Sequence, residues 1–467
     1  MKLSEIYAEN IYNVSKELRV RDSFDIIERR LKSAGHGVSF FYIDGFVKDA
    51  EMLRIMQHIL SQQKIGRAED FVETLPYVEV EVCYEFEKIV TSVLSGQSAI
   101  LCESFGSAAV LVDARTYPMR STAEPDTDRV MQGSHDGFVE TLVVNTALIR
   151  RRIRDPRLTM EHVSLSGSSK TDVVISYMKG IADERTLSDI RKRLLECRPR
   201  SLTLGFQGLA ECLIRKGWYN PFPKIRTTER PDTAASHLME GSVLVICDTS
   251  PQVMLLPTSI FDYLQQTDDY YFPPLTGSYL RIIRTIILLL SVVVTPLWYL
   301  YLEYAEKLPD ALRFLIPDEP GALPIILQLF LVEFALDGLK IASMNTPDML
   351  SNSLSIVGAL ILGDFAVEVG WLCGDVILYM AFVAIANFAQ QNYELGYAFK
   401  FSRMLILFLT FIFDIYGFIA GIVISALLVA TNNTLSGRRY LYPLIPFNAK
   451  AMKRLVIREK KSDISGE

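Results

Sequence analysis

Residues 282–302 read IIRTIILLLSVVVTPLWYLYL, and this run decides the class of the chain. It has the length of a bilayer-crossing helix, roughly 20 residues at about 1.5 Å of rise each. Arg281 and Arg284 flank its start, and Trp298, Tyr299 and Tyr301 form an aromatic belt at its end. Pro296 predicts a kink near that end. The loop beyond carries Glu303, Glu306, Asp310, Asp318 and Glu319. The positive-inside rule then places residues before the span in the cytosol and the acidic loop outside.

Four further apolar stretches follow, at 322–342, 354–369, 371–388 and 404–430. All carry charge that a plain anchor would lack. Glu333, Asp337 and Lys340 share one helix face, and Asp364 with Glu368 repeats the i, i+4 spacing. Asp375 and Asp414 stand alone. A charge at mid-bilayer costs about 3 kcal/mol on insertion scales, so these side chains need an interior, a water path or the interface. Three readings stay open: an amphipathic 322–342 helix at the membrane surface, pairing within a bundle with Lys340 neutralising a carboxylate, or an ion path. Gly417 with Gly421, and Ala359 with Gly363, are small-residue pairs suited to close helix contact.

The charges around 404–430 pull in two directions. Lys400 and Arg403 precede it, and a more basic tail from Arg438 to Lys461 follows it. One crossing would strand one cluster on the wrong side. The heavier tail is placed inside, which demands an even number of crossings and makes 322–342 the stretch expected not to cross.

Residues before 276 mix charged and apolar residues like a soluble α/β protein. SFDIIERRLKSAG at 23–35 reads as helix, VSFFYIDGF as strand, Lys48 to Gln63 as helix, and SAIL and AAVLVDAR as strands. After a polar connector at 119–137, FVETLVVNTALIRRRI reads as helix, with Phe138, Leu142, Thr146 and Ile149 on one stripe. LTMEHVSL and DVVISYMKGI alternate as strands, and TLSDIRKRLLEC is a helix capped at Thr186 or Ser188. A helix, the strands SVLVICD and QVMLLP, and a short helix complete 231–266. Turns such as IDGF, LVDAR, YMKGI and VICDTS recur at strand ends, a faint repeat that any α/β domain would also show. The start, MKLSEIYAENIYNV, lacks the basic-then-apolar pattern of a signal peptide.

The 467 residues carry a net charge of −6, which leaves no electrostatic footprint for nucleic acid. The six cysteines form no CxxC pair and read as reduced, buried thiols. No phosphate loop, nucleophile elbow or HExxH is present, and Asp44, Asp113 and Asp248 read as turn formers. We therefore expect no enzyme, no cofactor and no metal. Arg150, Arg151, Arg152 and Arg154 form the densest basic cluster of this half. Successive helical positions fan out by about 100°, so they cannot form one phosphate fork. They read either as a solvated helix end or as contacts to a neighbouring subunit or lipid headgroups.

NTALIRRRIRDPRL at 145–158, NPFPKIRTTERPD at 220–232, DYY at 269–271 running into SYLRIIR, GALILGDFAVEVG and ANFAQQNYELGYAFKFSR together resemble the GerA family of spore germination membrane proteins. The resemblance runs in order over nearly the whole chain. VLVICDTSPQVMLLPTSIFDY at 243–263 and the opening SFDIIERRL through FFYIDGF look more like the stage V sporulation branch than the nutrient-receptor A subunits. The resemblance implies a multi-pass protein of the spore inner membrane with its N-terminal region on the core side. It also implies homo-oligomeric assembly into an ion channel opened in germination, with other spore membrane germination proteins as further partners besides the lipid bilayer.

The expected architecture is an α/β cytosolic region of two subdomains, 1–122 and 123–275, an α-helical polytopic membrane domain at 276–432, and a basic tail at 433–467. The expected function is a cation-releasing channel subunit. Asp364, Glu368 and Asp375 would be acidic rings at the pore, with Glu333, Asp337 and Lys340 as further intramembrane charge. A nutrient-binding receptor subunit or a non-conducting scaffold are the alternatives.

Overall fold

Ser33 and His36 pair across a two-residue turn whose residues, Ala34 and Gly35, both take positive φ, 51° and 83°. Such a primed turn matches the twist of paired strands. The segment before it is therefore strand β1 (Ile26–Ser33), paired antiparallel with β2 (His36–Ile43), and not the helix that the spacing of Phe24, Ile27 and Leu31 predicts. Hairpin chemistry at Ala34–Gly35 overrides the helical period.

The computed structural model describes residues 2–117, 133–165, 170–197, 205–214, 219–266, 268–307, 309–344, 366–390, 392–432, 435 and 439–457. They fall into two compact units. The first holds Met1–Lys216, Ile225–Thr258 and Thr434–Arg438, and the second Gly217–Lys224, Ser259–Asn433 and Arg439–Glu467.

Unit one contains the same arrangement twice. Helix α1 (Tyr7–Leu18), β1, β2, helices α2 (Asp49–Ser61) and α3 (Ala68–Thr74), β3 (Val80–Cys83), α4 (Phe86–Leu94), β4 (Ser98–Cys102) and β5 (Ala109–Val112) make the first copy. The second runs α5 (Leu142–Arg152), β6 (Leu158–Ser164), β7 (Asp172–Met178), α6 (Glu184–Glu196), α7 (Gly205–Leu213), β8 (Arg226–Thr228), α8 (Pro231–Met239), β9 (Val243–Cys247) and β10 (Val253–Leu256). The sheet orders, β1-β2-β4-β5-β3 and β6-β7-β9-β10-β8, are the same order shifted by five, with every pairing antiparallel.

A side-chain device repeats as well. Asn10 on α1 accepts from the N–H of Ser4 at 2.8 Å and donates to its carbonyl at 2.6 Å. Asn145, likewise the fourth residue of its helix, does the same to Val139 at 2.8 and 2.5 Å. Of the strand-end turns, IDGF after β2 and YMKGI after β7 are equivalent, whereas LVDAR follows β5 and VICDTS follows β9. The duplication is real, but those turns carry only part of it.

Each sheet is buried on both faces. Phe41, Ile43, Leu101 and Leu111 face one layer of the first sheet, and Val38, Phe40, Ile100 and Val110 the other. Each such side chain contributes about 1.5–3 kcal/mol on burial. The cap of α6 is Asp183, not Thr186 or Ser188: its carboxylate accepts from Thr186 N–H at 3.1 Å and Thr186 O–H at 2.7 Å.

Unit two is helical. Among the described residues, two of its helices are long and apolar enough to cross a membrane, α10 (Pro274–Glu303, after the short α9, Asp268–Tyr271) and α14 (Tyr393–Ala430). Between them lie α11 (Ile325–Met344), the single turn α12 (Ala366–Glu368) and α13 (Gly374–Phe388); α15 (Ala449–Val456) closes the unit. Ala359, Gly363 and Asp364 lie outside the described residues.

Helix α14 is not straight. Phe413 (φ −125°, ψ 15°) and Asp414 (φ 48°, ψ −129°) leave the helical region and divide it into arms at 393–412 and 415–430. A Cβ built on Gly417 would sit 1.8 Å from the Leu409 carbonyl oxygen, and one on Gly421 2.8 Å from Ile406 Cα. Leu428 and Val429 pack with Leu395, Ala398 and Phe399. These contacts pair the arms antiparallel, so α14 is a helical hairpin with its apex at Phe413–Asp414. The 404–430 run, expected to continue as one span, turns back on itself because only glycine at 417 and 421 lets two backbones meet this closely.

Candidate functional site

Glu333 and Asp337 sit one turn apart on α11, and Lys400 and Arg403 nearly one turn apart on the first arm of α14. The two pairs interlock. Arg403 donates to Glu333 Oε1 at 2.7 Å and to the Ser291 carbonyl of α10 at 3.2 Å. Lys400 Nζ lies 3.2 Å from the same Glu333 oxygen and bonds Asp337. The Arg403, Glu333 and Lys400 side chains are 2%, 6% and 7% exposed, so the network lies inside the helical unit, and Asp337 closes it at 32%. Two carboxylates meet two cations, which is what allows four charges to share an apolar interior.

The partner of the carboxylates is Lys400, not Lys340. Lys340 Nζ instead lies over the rings of Tyr393 and Tyr397, 4.4 and 4.7 Å from their centroids. Glu333, 5% exposed, points into the helix bundle, and Asp337, with its side chain 32% exposed, lies at the bundle's edge. In the sequence Lys400 and Arg403 stand out only as topology markers. Their i, i+3 spacing facing an i, i+4 acidic pair was the available signal.

The remaining acids behave differently. Glu368 ends α12 and is exposed; Asp375 is half-buried in the first turn of α13, where the helix dipole favours a carboxylate. Neither has an ion pair among the described residues, and Asp364 lies outside them. The connection between Glu368 and Asp375 is fixed by Gln328, which sequence reasoning missed. Its carboxamide oxygen accepts from Cys373 N–H at 2.8 Å, and its NH2 donates to the Pro320 and Leu323 carbonyls, both at 2.7 Å.

At the other end of α10, Asp269 is fully buried and receives both flanking arginines, Arg281 at 3.2 Å and Arg284 at 3.0 Å. Arg281 also donates to the Leu455 carbonyl of α15 at 3.4 Å, and Ile260 N–H donates to the Tyr440 carbonyl. Thus the start of α10 and the tail that follows the hairpin meet at one end of the unit.

The arginine cluster of unit one is mostly structural. Arg150 is fully buried and bidentate to Asp25, at 2.8 and 3.1 Å, and bonds Ser23 Oγ and the Leu158 carbonyl at 3.1 Å each. It stitches the entry of β1 to the entry of β6, so for this residue both the solvated-end and the lipid-contact readings are corrected: its face of α5 points inward. Arg151 stacks over Tyr117 at 4.7 Å. Arg152 pairs with Asp136 at 2.9 Å, and Arg154 is exposed beside Ser95.

Burial and the adjacent Arg226 hold the His237 imidazole down at about 3, and Arg226 Nη1 lies 3.1 Å from its Nε2. Burial pushes the Cys247 thiol up to about 12.

The family described as Bacillus/Clostridium GerA spore germination protein matches residues 13–465. The chain belongs to the GerA family. Stage V sporulation protein AF of Bacillus subtilis is 36% identical over 446 residues, covering 94% of this chain and 90% of that protein. Spore germination protein A1 of the same organism is 25% identical over 476 residues, covering 99% of this chain and 97% of that one. The crystal structure of the N-terminal domain of the A subunit of the Bacillus megaterium spore germinant receptor GerK3 is similar over 55% of this chain and 96% of that one, with 23% identity and a TM-score of 0.41. The branch expected from residues 243–263 is the one to which the 36% relative belongs.

Proposed function

We propose that this GerA-family protein is a polytopic membrane protein of the spore and a homo-oligomeric subunit that conducts cations during germination. The observation that carries the reading is the buried Arg403–Glu333–Lys400–Asp337 network inside an apolar helical unit. An anchor needs no such network; a bundle that must hold a fixed shape around a path does. Neutralised as they are, Glu333 and Asp337 drop out as pore acids. Glu368 and Asp375, which remain unpaired among the described residues, together with Asp364, are left as the acidic side chains that would attract cations.

The hairpin supports a definite topology. With the apex of α14 outside, the start of its first arm and the basic tail fall on the cytosolic side, together with Arg281 and Arg284, as the positive-inside rule requires, while Lys400 and Arg403 are neutralised within the bundle. The conflict between the two basic clusters arises only for a straight 404–430 span. In this reading α11 crosses, and the N-terminal unit faces the spore core.

The test is flux through liposomes containing purified oligomer. A cation leak that falls when Asp364, Glu368 and Asp375 are neutralised together is the expected result. Absence of any leak, or a leak indifferent to all three changes, sinks the channel assignment and leaves a non-conducting scaffold.

A further inference from the structure

Helix α1 and strand β1 leave a groove between them with a volume of about 790 Å3. Pockets that hold small molecules are typically about 300–1,000 Å3. Its cations are Lys16, Arg19 and Arg21 from the end of α1 and the segment after it, and Arg30 and Lys32 from β1. Its acids are Asp22 and Glu103. Five cations against two acids leave the lining at +3 in a chain whose net charge is −6. Cations at a helix C-terminus complement its dipole, which accounts for Lys16 and Arg19. It does not account for Lys32, which arrives from a strand; Arg30, from the same strand, is paired with Glu28.

Arg19 supplies the second observation. It caps α1 in the left-handed conformation, φ 56°, which a residue with a Cβ enters at a cost. Its Nη1 is buried and has no hydrogen-bond partner among the described residues. Arg19 as a whole is only half-buried and lines the groove, so the accessible part of its guanidinium is placed to donate a charge-assisted hydrogen bond to an anion there. Asp22 does not fill this role, since it bonds Lys179 at 3.1 Å. Glu103 lies beside His36 at 3.8 Å. Tyr7, bonded to Ser39 at 3.0 Å, and Tyr12 supply ring surface on the helix side.

We propose that this groove binds a small soluble polyanion of the di- or triphosphate class, with Arg19 reading one phosphate and Lys32 the next. The site belongs to unit one, and the proposed conduction is assigned to unit two, so either reading can fail alone.

The test is calorimetric titration of the full-length protein in detergent, at moderate salt, with inorganic pyrophosphate, ADP, adenosine and citrate in turn. Pyrophosphate and ADP should bind and adenosine should not. Arg19→Gln and Lys32→Gln should each weaken binding of both by tenfold or more while the ligand-free melting temperature stays unchanged. Because Lys32 is exposed, its variant keeps the test valid if Arg19→Gln fails to fold. No heat with pyrophosphate or ADP at millimolar concentration, unaltered affinity in the variants, or citrate binding as tightly as pyrophosphate would each overturn the proposal. So would displacement of bound pyrophosphate by phosphatidylglycerol vesicles but not by ADP, which would reassign the groove to a lipid headgroup.

Discussion

Gly417 lies against the backbone of Leu409, so near that a Cβ on it would come within 1.8 Å of the Leu409 carbonyl oxygen. Backbone cannot retreat as a side-chain tip can. Gly417→Leu is therefore expected to part the two arms of α14 and to destabilise the helical unit by at least about 3 kcal/mol, the upper end of overpacking costs. Thermal unfolding in detergent reads the loss. Wild-type stability in this variant would mean that the arms do not pack here.

The hairpin also makes a topological prediction, resting on the proposed membrane reading. Cysteine introduced at Ile415, beside the apex, should react with an impermeant maleimide added outside intact cells. Cysteine at Phe447, in the exposed segment before α15, should react only after permeabilisation. Both sites reacting from outside would mean a single crossing by α14.

Arg403→Met removes one partner from a buried network and leaves Glu333 short of a cation. Such losses cost about 3–5 kcal/mol. Adding Glu333→Gln should recover part of that, so the double variant should unfold later than Arg403→Met alone. Simple addition of the two single effects would show that the pair is not coupled.

Ala34 holds a positive φ of 51° at the tip of the β1–β2 hairpin, where its side chain is exposed. Asparagine tolerates this conformation better. Ala34→Asn should stabilise unit one by about 1 kcal/mol in urea unfolding, with no change in slope.

His237 is neutral in the fold, its imidazole held at about 3 against an ordinary 6.5. Its folded value is depressed, so the unfolded chain takes up the proton first. The stability is fully present above pH 6.5 and drains away as pH falls toward 3. Part of the residue still meets solvent, so the loss is a few kcal/mol and not the full amount that about 1.4 kcal/mol per unit would give. His237→Leu should flatten this acid limb; an unchanged limb would assign it to other groups.

Much of this was legible in the sequence. The α10 span, strands β2, β4 to β7, β9 and β10, and the charged face of α11 follow from period and composition. Strand β1 did not, because Phe24, Ile27 and Leu31 fall at helical spacing while the decisive signal is the two-residue turn after them. The ion network was half legible: Glu333 and Asp337 mark a face, but nothing local says that Lys400, over sixty residues on, answers it and Lys340 does not. Arg150 was misread because three adjacent arginines look alike in sequence, whereas a helix aims each about 100° from the last. The bend of α14 has no proline to announce it, and its one polar mark, Asp414, reads in the sequence as a lone intramembrane charge and not as an apex. Only Gly417 and Gly421 hint that two backbones must touch.

The recurrence of one nine-element order, with the Asn10 and Asn145 clamps in register, makes unit one a tandem of a single arrangement. One position in that arrangement therefore serves two ends: beside α1 the first copy lines a recess with Lys16, Arg19 and Lys32, while in α5 the second buries Arg150, which joins the copies through Asp25 and Ser23.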